Sequence, residues 1–261
     1  MFIKEIIATI EEFAPLHLQA GFDNSGLACG DVDRELTAVL LTLDVTGAVV
    51  EEAIREGANL VVSHHPLLFH PLRRLAPDTD AGRAIILAIK HDIALYSAHT
   101  NMDVVARGVS DRAADRLHLT SREILQPEGN SNPQRGYGII GNLETPEEAI
   151  AFLRRVKERF DCPVIRHTNP PPRAVRRVAI CGGSGASFIP AALERGADVY
   201  LSADFKYHDF FLAADRLVLA DIGHRESEQF TKDIFHEILL EKIPNFAIRF
   251  SRIKTDPINY L

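Results

Sequence analysis

Two histidines stand side by side at the end of an apolar run, Leu60-Val61-Val62-Ser63-His64-His65-Pro66. The run reads as a buried strand, and Pro66 stops regular pairing beyond it. The carboxyl ends of such strands are where α/β proteins place ligands. Neighbouring residues on extended chain point to opposite sides, so His64 and His65 serve two metal ions better than one. An isolated His-His pair can also be two loop residues with no ligand. Further along, His99 follows a strand end with Asp103 four residues on, and His224 follows another with Glu228 four residues on. Imidazole and carboxylate together suit zinc, manganese or iron. A carboxylate can bridge two such ions, and the pair acidifies and orients a water for attack.

Each residue also has a bland reading. His99 could hydrogen-bond a neighbouring ligand in place of binding metal. Asp103 could simply begin a helix, and Glu228 could complement a helix dipole. Asp204, Tyr207 and His208 follow a strand opposite the His-His strand, as acid, base, substrate contacts or surface residues. Cys181-Gly182-Gly183-Ser184-Gly185-Ala186-Ser187 could cradle a phosphate, but it lacks a P-loop lysine and reads better as a tight strand-to-helix turn. Ser184 does not sit in a nucleophile elbow.

The elements that must position these groups alternate strand and helix, which implies a largely parallel sheet in an α/β fold. Residues 2–14 have helical apolar spacing. Strands are expected at 36–43, 60–63, 93–97, 137–143, 175–181, 199–202 and 217–220, with helices at 49–56 and 81–90. Ser110 is expected to cap a helix to Leu117, and Thr145-Pro146-Glu147-Glu148 to open one running to about Phe160 with proline at its first position. Helices are also expected at 188–195, 210–215 and, as one long amphipathic element, 227–242. The polar, breaker-rich stretch around 126–136 places a linker at 127–135 between halves 1–126 and 136–261.

Those halves repeat. VLLTLDVTGAVVEEAIREG (39–57) aligns without a gap on VAICGGSGASFIPAALERG (178–196), and the match continues through Ser63 against Ser202. Duplication explains the apolar pattern. It does not explain why both halves keep His-x-x-x-carboxylate past a strand end; two similar α/β halves packed face to face would bring these groups into one cleft.

A net charge of −7 with no Lys/Arg run disfavours nucleic acid as partner. Hydrophobic residues at 46% and charged residues at 25% are ordinary for a soluble globular chain. Met1-Phe2-Ile3-Lys4-Glu5-Ile6 opens an amphipathic helix, not a signal peptide, and no apolar segment is long enough for a membrane span. Three scattered cysteines without CxxC fit a reducing cytoplasm.

GFDNSGLACG, LDVT, SHHPLLF, HTNMD, CGGSGASF, ADVYLSADFKYH and DIGHRESE, in this order, resemble the Nif3-like family of dinuclear-metal-centre hexameric proteins, often named GTP cyclohydrolase 1 type 2 homologues. The resemblance spans nearly the whole chain. It implies two similar α/β halves around a metal pair, a toroidal homohexamer, and His64, His65, Asp103, His224 and Glu228 as ligands, with Glu228 bridging. His99 lies in a matching motif and is kept as a residue that either supports a ligand or transfers a proton. Some members carry an inserted domain between the halves, which this chain lacks. Phe22 stands where Trp is common, Ser25 where Val is common, and Arg225 where Tyr is frequent.

The expected function is a cytoplasmic hydrolase dependent on two divalent ions, acting on a small molecule, GTP or a related purine nucleotide being the concrete case. The catalytic candidates are His99, Asp204 and His208. The alternative is a metal-binding hexameric ring with an interaction or regulatory role.

Overall fold

A computed structural model describes residues 1–128 and 135–261. In chain order its elements are α1 (Ile3–Phe13), β1 (Gly26–Cys29), β2 (Val39–Thr42), α2 (Gly47–Glu56), β3 (Leu60–Ser63), α3 (Asp80–Lys90), β4 (Ala94–Ser97), α4 (Thr100–Asp103), α5 (Val109–Leu117), β5 (Thr120–Pro127), β6 (Gly136–Glu147), α6 (Ala149–Arg159), β7 (Arg166–His167), β8 (Val175–Ser184), α7 (Ile189–Glu194), β9 (Val199–Ala203), β10 (Val218–Asp221), α8 (His224–Glu228), α9 (Thr231–Lys242) and β11 (Ile248–Phe250). The chain divides into two compact units, residues 1–102 with 231–258, and residues 103–230 with 259–261.

In the first unit the strand order is β1-β4-β3-β2-β11, counted among the described residues. β2, β3, β4 and β11 are parallel, and β1 is antiparallel on β4. Every residue of β2, β3 and β4 is buried, because both faces are covered. Leu40, Val61 and Leu95 pack with Val49, Val50 and Ala53 of α2 and Ala84 and Ala88 of α3. On the opposite face Tyr96 of β4 donates to Glu11 of α1 at 3.2 Å. α2 begins where Thr46 accepts from Val49 N and ends at Gly57, whose φ of 67° closes the helix in the left-handed region.

In the second unit the order is β5-β6-β8-β9-β10-β7. β8, β9 and β10 are parallel neighbours, and β7 is antiparallel on β10. The repeat holds at the level of register. Val39 pairs with Leu60 and Val178 with Val199, the positions that the two sequences align. Gly57 and Gly196 also correspond, with φ of 67° and 69°.

The sheets place the row Thr42–Ser63–Ser97 at the carboxyl ends of β2, β3 and β4. Asp44, His65 and His99 each lie two residues beyond that row, so one parallel register gathers three polar groups at one edge. In the second unit the matching row is Ser202–Asp221, with Asp204 two residues beyond it.

Several expected boundaries shift. Ser110 lies inside α5, whose N-cap is Gly108. β6 continues through Pro146 to Glu147, and Glu148 is the N-cap of α6, its carboxylate accepting from Ile150 N and Ala151 N. Pro146 is tolerated because the β6–β8 ladder is irregular between Asn142 and Glu147. The expected helix at 210–215 is a 3-10 helix at Tyr207–Ala213. The expected helix at 227–242 is two helices, α8 and α9, broken at Gln229–Phe230. Phe230 is buried against Phe160, with ring centroids 6.0 Å apart. Packing at this point therefore outweighs the continuous apolar spacing. Of the expected linker at 127–135, residues 129–134 lie outside the described residues. β5 and β6, which flank it, pair antiparallel in one sheet.

Candidate metal centre

The first unit presents three imidazoles, and each is held by one ring nitrogen. His64 is fully buried, and its Nδ1 donates to the Ala98 carbonyl at 2.9 Å. A carbonyl only accepts, so the proton is on Nδ1 and the lone pair on Nε2. His65 Nδ1 donates to Asp44 Oδ1 at 2.7 Å, and Thr255 Oγ1 donates to the other Asp44 oxygen at 2.6 Å. His99 Nδ1 donates to Asp23 Oδ1 at 2.8 Å. The Asp23 carboxylate has no exposed surface. Its Oδ2 accepts from Ser25 Oγ at 2.9 Å and from Thr100 N at 3.1 Å, and also from Thr100 Oγ1. Burial opposes ionisation of Asp23, but the hydrogen bonds from His99 and Thr100 outweigh it and hold the carboxyl well below its ordinary range. One ring nitrogen from each of His64, His65 and His99 lies within 4.8 Å of the others.

The second unit repeats the device. His224 opens α8, and its Nδ1 donates to Asp204 Oδ2 at 2.7 Å. Its Nε2 lies 3.1 Å from Glu228 Oε2, one helical turn on. The Glu228 side chain is 3% exposed. Asp204 also accepts from Ser184 Oγ. The hydrogen bond from His224 leads the causes that hold the Asp204 carboxyl low. Burial alone would lower the His224 pKa, but the charges of Glu228 and Asp204 overcome it and push the pKa up to about 11. Burial pushes the pKa of the Cys181 thiol up, and the nearby charges of Asp103 and Glu228 add to it.

The glycine run belongs to this arrangement. β8 includes Gly182 and Gly183, with an irregular register between Ile180 and Ser184, and Gly185 then leads through a 3-10 turn at Ala186–Phe188 into α7, so the run ends in the expected strand-to-helix turn. Gly183 has φ of +61°, and a Cβ there would lie 2.4 Å from Glu228 Oε1 and 3.3 Å from His224 Nε2. Gly183 N donates to Ser227 Oγ at 2.9 Å. The missing side chain is what seats Glu228.

Within the first unit, then, the structure gathers His64, His65 and His99; within the second, His224, Glu228 and Asp204. Asp204 acts on the His224 ring. His208 lies on the exposed 3-10 turn, its ring 5.2 Å from Tyr207 and 6.1 Å from Phe211, and makes no hydrogen bond among the described residues. The sequence reading gives Asp23 and Asp44 no role of their own and takes Gly183 as part of a turn. The available signal was the acid in GFDNSG and in LDVT, each at a strand or loop boundary of a chain already rich in histidines.

These units define an α/β protein built by duplication, with strand tips equipped with anchored histidines and acids that could hold a metal ion. The chain matches the DUF34/NIF3 (NGG1p interacting factor 3) family over residues 1–257 and belongs to it. A Clostridium perfringens protein named GTP cyclohydrolase 1 type 2 homolog is 36% identical over 231 residues, with 87% of each chain covered. A Streptococcus pneumoniae protein of the same name is 36% identical over 229 residues, with 86% of this chain and 85% of that one covered. The crystal structure of a Bacillus cereus protein related to NIF3 superposes with a TM-score of 0.92 at 27% identity, covering 100% of this chain and 99% of that one.

Two outcomes test this geometry. Gly196 has the same left-handed backbone as Gly183, but open space around it. Gly196→Ala should therefore cost about 1 kcal/mol of strain, and Gly183→Ala about 2–4 kcal/mol with displacement of Glu228. Thermal denaturation of the pair checks this, and equal losses would contradict the seat. For Asp23, the depressed folded pKa makes its stabilisation complete above the unfolded carboxyl value of about 4. That stabilisation is lost as pH falls from there toward the folded value. Asp23→Asn should thus be less stable than wild type at pH 7, with the gap narrowing below about pH 4 in acid denaturation curves.

Proposed function

We propose that this chain is a divalent-metal-dependent hydrolase acting on a small molecule, with His64, His65, Asp103, His224 and Glu228 holding a pair of cations. The observation that carries the reading is that His64, His65 and His224 are each fixed at Nδ1 by an oxygen. Carboxylate–histidine and carbonyl–histidine pairs of this kind orient rings that coordinate through Nε2. The donor set fits such ions in kind, since imidazole and carboxylate accept zinc, manganese or iron. Two dications call for negative charge among their ligands, and Asp103 and Glu228 supply it.

A pair of divalent ions supplies Lewis acidity and an acidified water at neutral pH. The protein's own residues do the rest. Asp23 fixes the His99 ring so that Nε2 is the nitrogen able to accept a proton, and His99 moves that proton between nucleophile and leaving group. Glu228, seated by Gly183, and Asp204, bonded to Nδ1, hold His224 in place. The name carried by the Clostridium and Streptococcus relatives directs the choice of substrate to a purine nucleotide, with GTP the first to try. Homohexameric assembly and a cytoplasmic location belong to the same proposal. Among the described residues no helix is long and apolar enough to cross a membrane.

Elemental analysis of protein loaded with zinc, manganese or iron and then desalted should give about two ions per chain. Glu228→Ala and His65→Ala should each retain fewer. The wild type should hydrolyse at least one member of a panel of nucleotides and cyclic amides, and the metal-depleted variants none. Full metal content without turnover on any member would favour the ring with an interaction role.

A further inference from the structure

Beside the imidazoles of the first unit stand two phenylalanine rings that the hydrolytic reading leaves unused. Phe22 is 71% exposed and Phe69 39% exposed. Their ring centroids are 6.3 Å apart and the planes are tilted by 57°, so neither ring covers the other. Phe69 also meets the His99 ring edge-on, at 6.1 Å and 82°. The three rings form a continuous strip that starts at solvent and ends at the candidate metal centre.

The loops that carry these rings are tied down. Asn24 Nδ2 donates to the Leu68 carbonyl at 2.6 Å, which joins the Phe22 loop to the Phe69 loop. Asp23 N donates to the Ala20 carbonyl at 2.9 Å, and Ser25 N to Gln19 Oε1 at 2.9 Å. His99 N donates to Ser25 Oγ at 3.2 Å. The loop that presents Phe22 is thus the one whose next residue, Asp23, orients His99. Single exposed apolar residues are common and need no explanation. Two aromatic rings on cross-braced loops, continuous with a set of metal-binding groups, form a built surface. Phenylalanine offers no hydrogen bond, so such a surface selects a planar π system by its face and leaves polar edges to other groups.

We propose that Phe22 and Phe69 form a stacking subsite for a planar heteroaromatic ring of the substrate, holding its polar edge toward His99. The catalytic meaning of the subsite rests on the hydrolytic reading, but ring binding itself needs no metal, so the two can fail separately. The probe is guanosine, a planar base without phosphate, titrated by calorimetry into the full chain both loaded with manganese and treated with chelator. Ribose 5-phosphate serves as the control without a ring.

Phe22→Ala and Phe69→Ala should each weaken guanosine binding by about fivefold to a hundredfold in both preparations. Phe22→Trp should retain it, and ribose 5-phosphate should not distinguish the variants. The proposal is overturned if guanosine binds neither wild-type preparation, or binds the alanine variants as tightly as wild type. It is also overturned if sedimentation shows that either alanine variant changes the oligomeric state, which would make the rings a contact with a second copy of the chain. Intact ring binding in a chain that takes up no metal would strike the hydrolytic reading alone.

Discussion

The interaction on which the arrangement depends is the hydrogen bond at Nδ1. An imidazole has two nitrogens, and only one can be offered to a cation in a fixed direction. Here an oxygen takes the other each time: a backbone carbonyl for His64, Asp44 for His65, Asp23 for His99 and Asp204 for His224. Each bond sets the tautomer and the ring plane together. Three of the acceptors are themselves fixed by further donors, Asp44 by Thr255, Asp23 by Ser25 and Thr100, and Asp204 by Ser184. Rotation of a ring would therefore break a small network, not one bond. Such support matters for any centre whose chemistry depends on angstrom-scale placement.

Parallel register explains why so few residues suffice. Strands that run the same way end at the same edge, and in the first unit Thr42, Ser63 and Ser97 form one row. A histidine or acid placed two residues past each member of that row lands beside its neighbours without any long loop to order. Duplication then makes the device available twice, with the same register in the second sheet. The copies have diverged in charge. The first sets three imidazoles against two carboxylates, Asp23 and Asp44, while the second sets one imidazole against two, Asp204 and Glu228.

Much of this was visible before any coordinates. The bounds of β3 agree with the apolar run at 60–63, and the gapless alignment of the halves anticipates the pairing of Val39 with Leu60 and Val178 with Val199. What was hidden is what periodicity does not encode. Asp23 and His99 are far apart in sequence, and nothing local to GFDNSG reveals that its acid will be buried under His99. The break between α8 and α9 has no glycine or proline to announce it; it follows from where Phe230 finds its partner. Gly183 looked like turn chemistry because glycine runs most often are. Its reason is a carboxylate that approaches too closely for any Cβ.

The divergence in charge has a consequence for how the second unit tolerates its own acids. A carboxylate as buried as Glu228 is expensive to keep ionised without a positive partner. His224 provides one, because Glu228 and Asp204 hold the imidazole in its protonated form against the effect of burial. The proton on this ring therefore matches the negative charge around it. In the first unit the buried Asp23 carboxylate is met instead by hydrogen bonds from His99, Thr100 and Ser25. An acid-rich copy can thus fold on the strength of its own histidine. On this argument, His224 belongs as much to the folding of the second unit as to its chemistry.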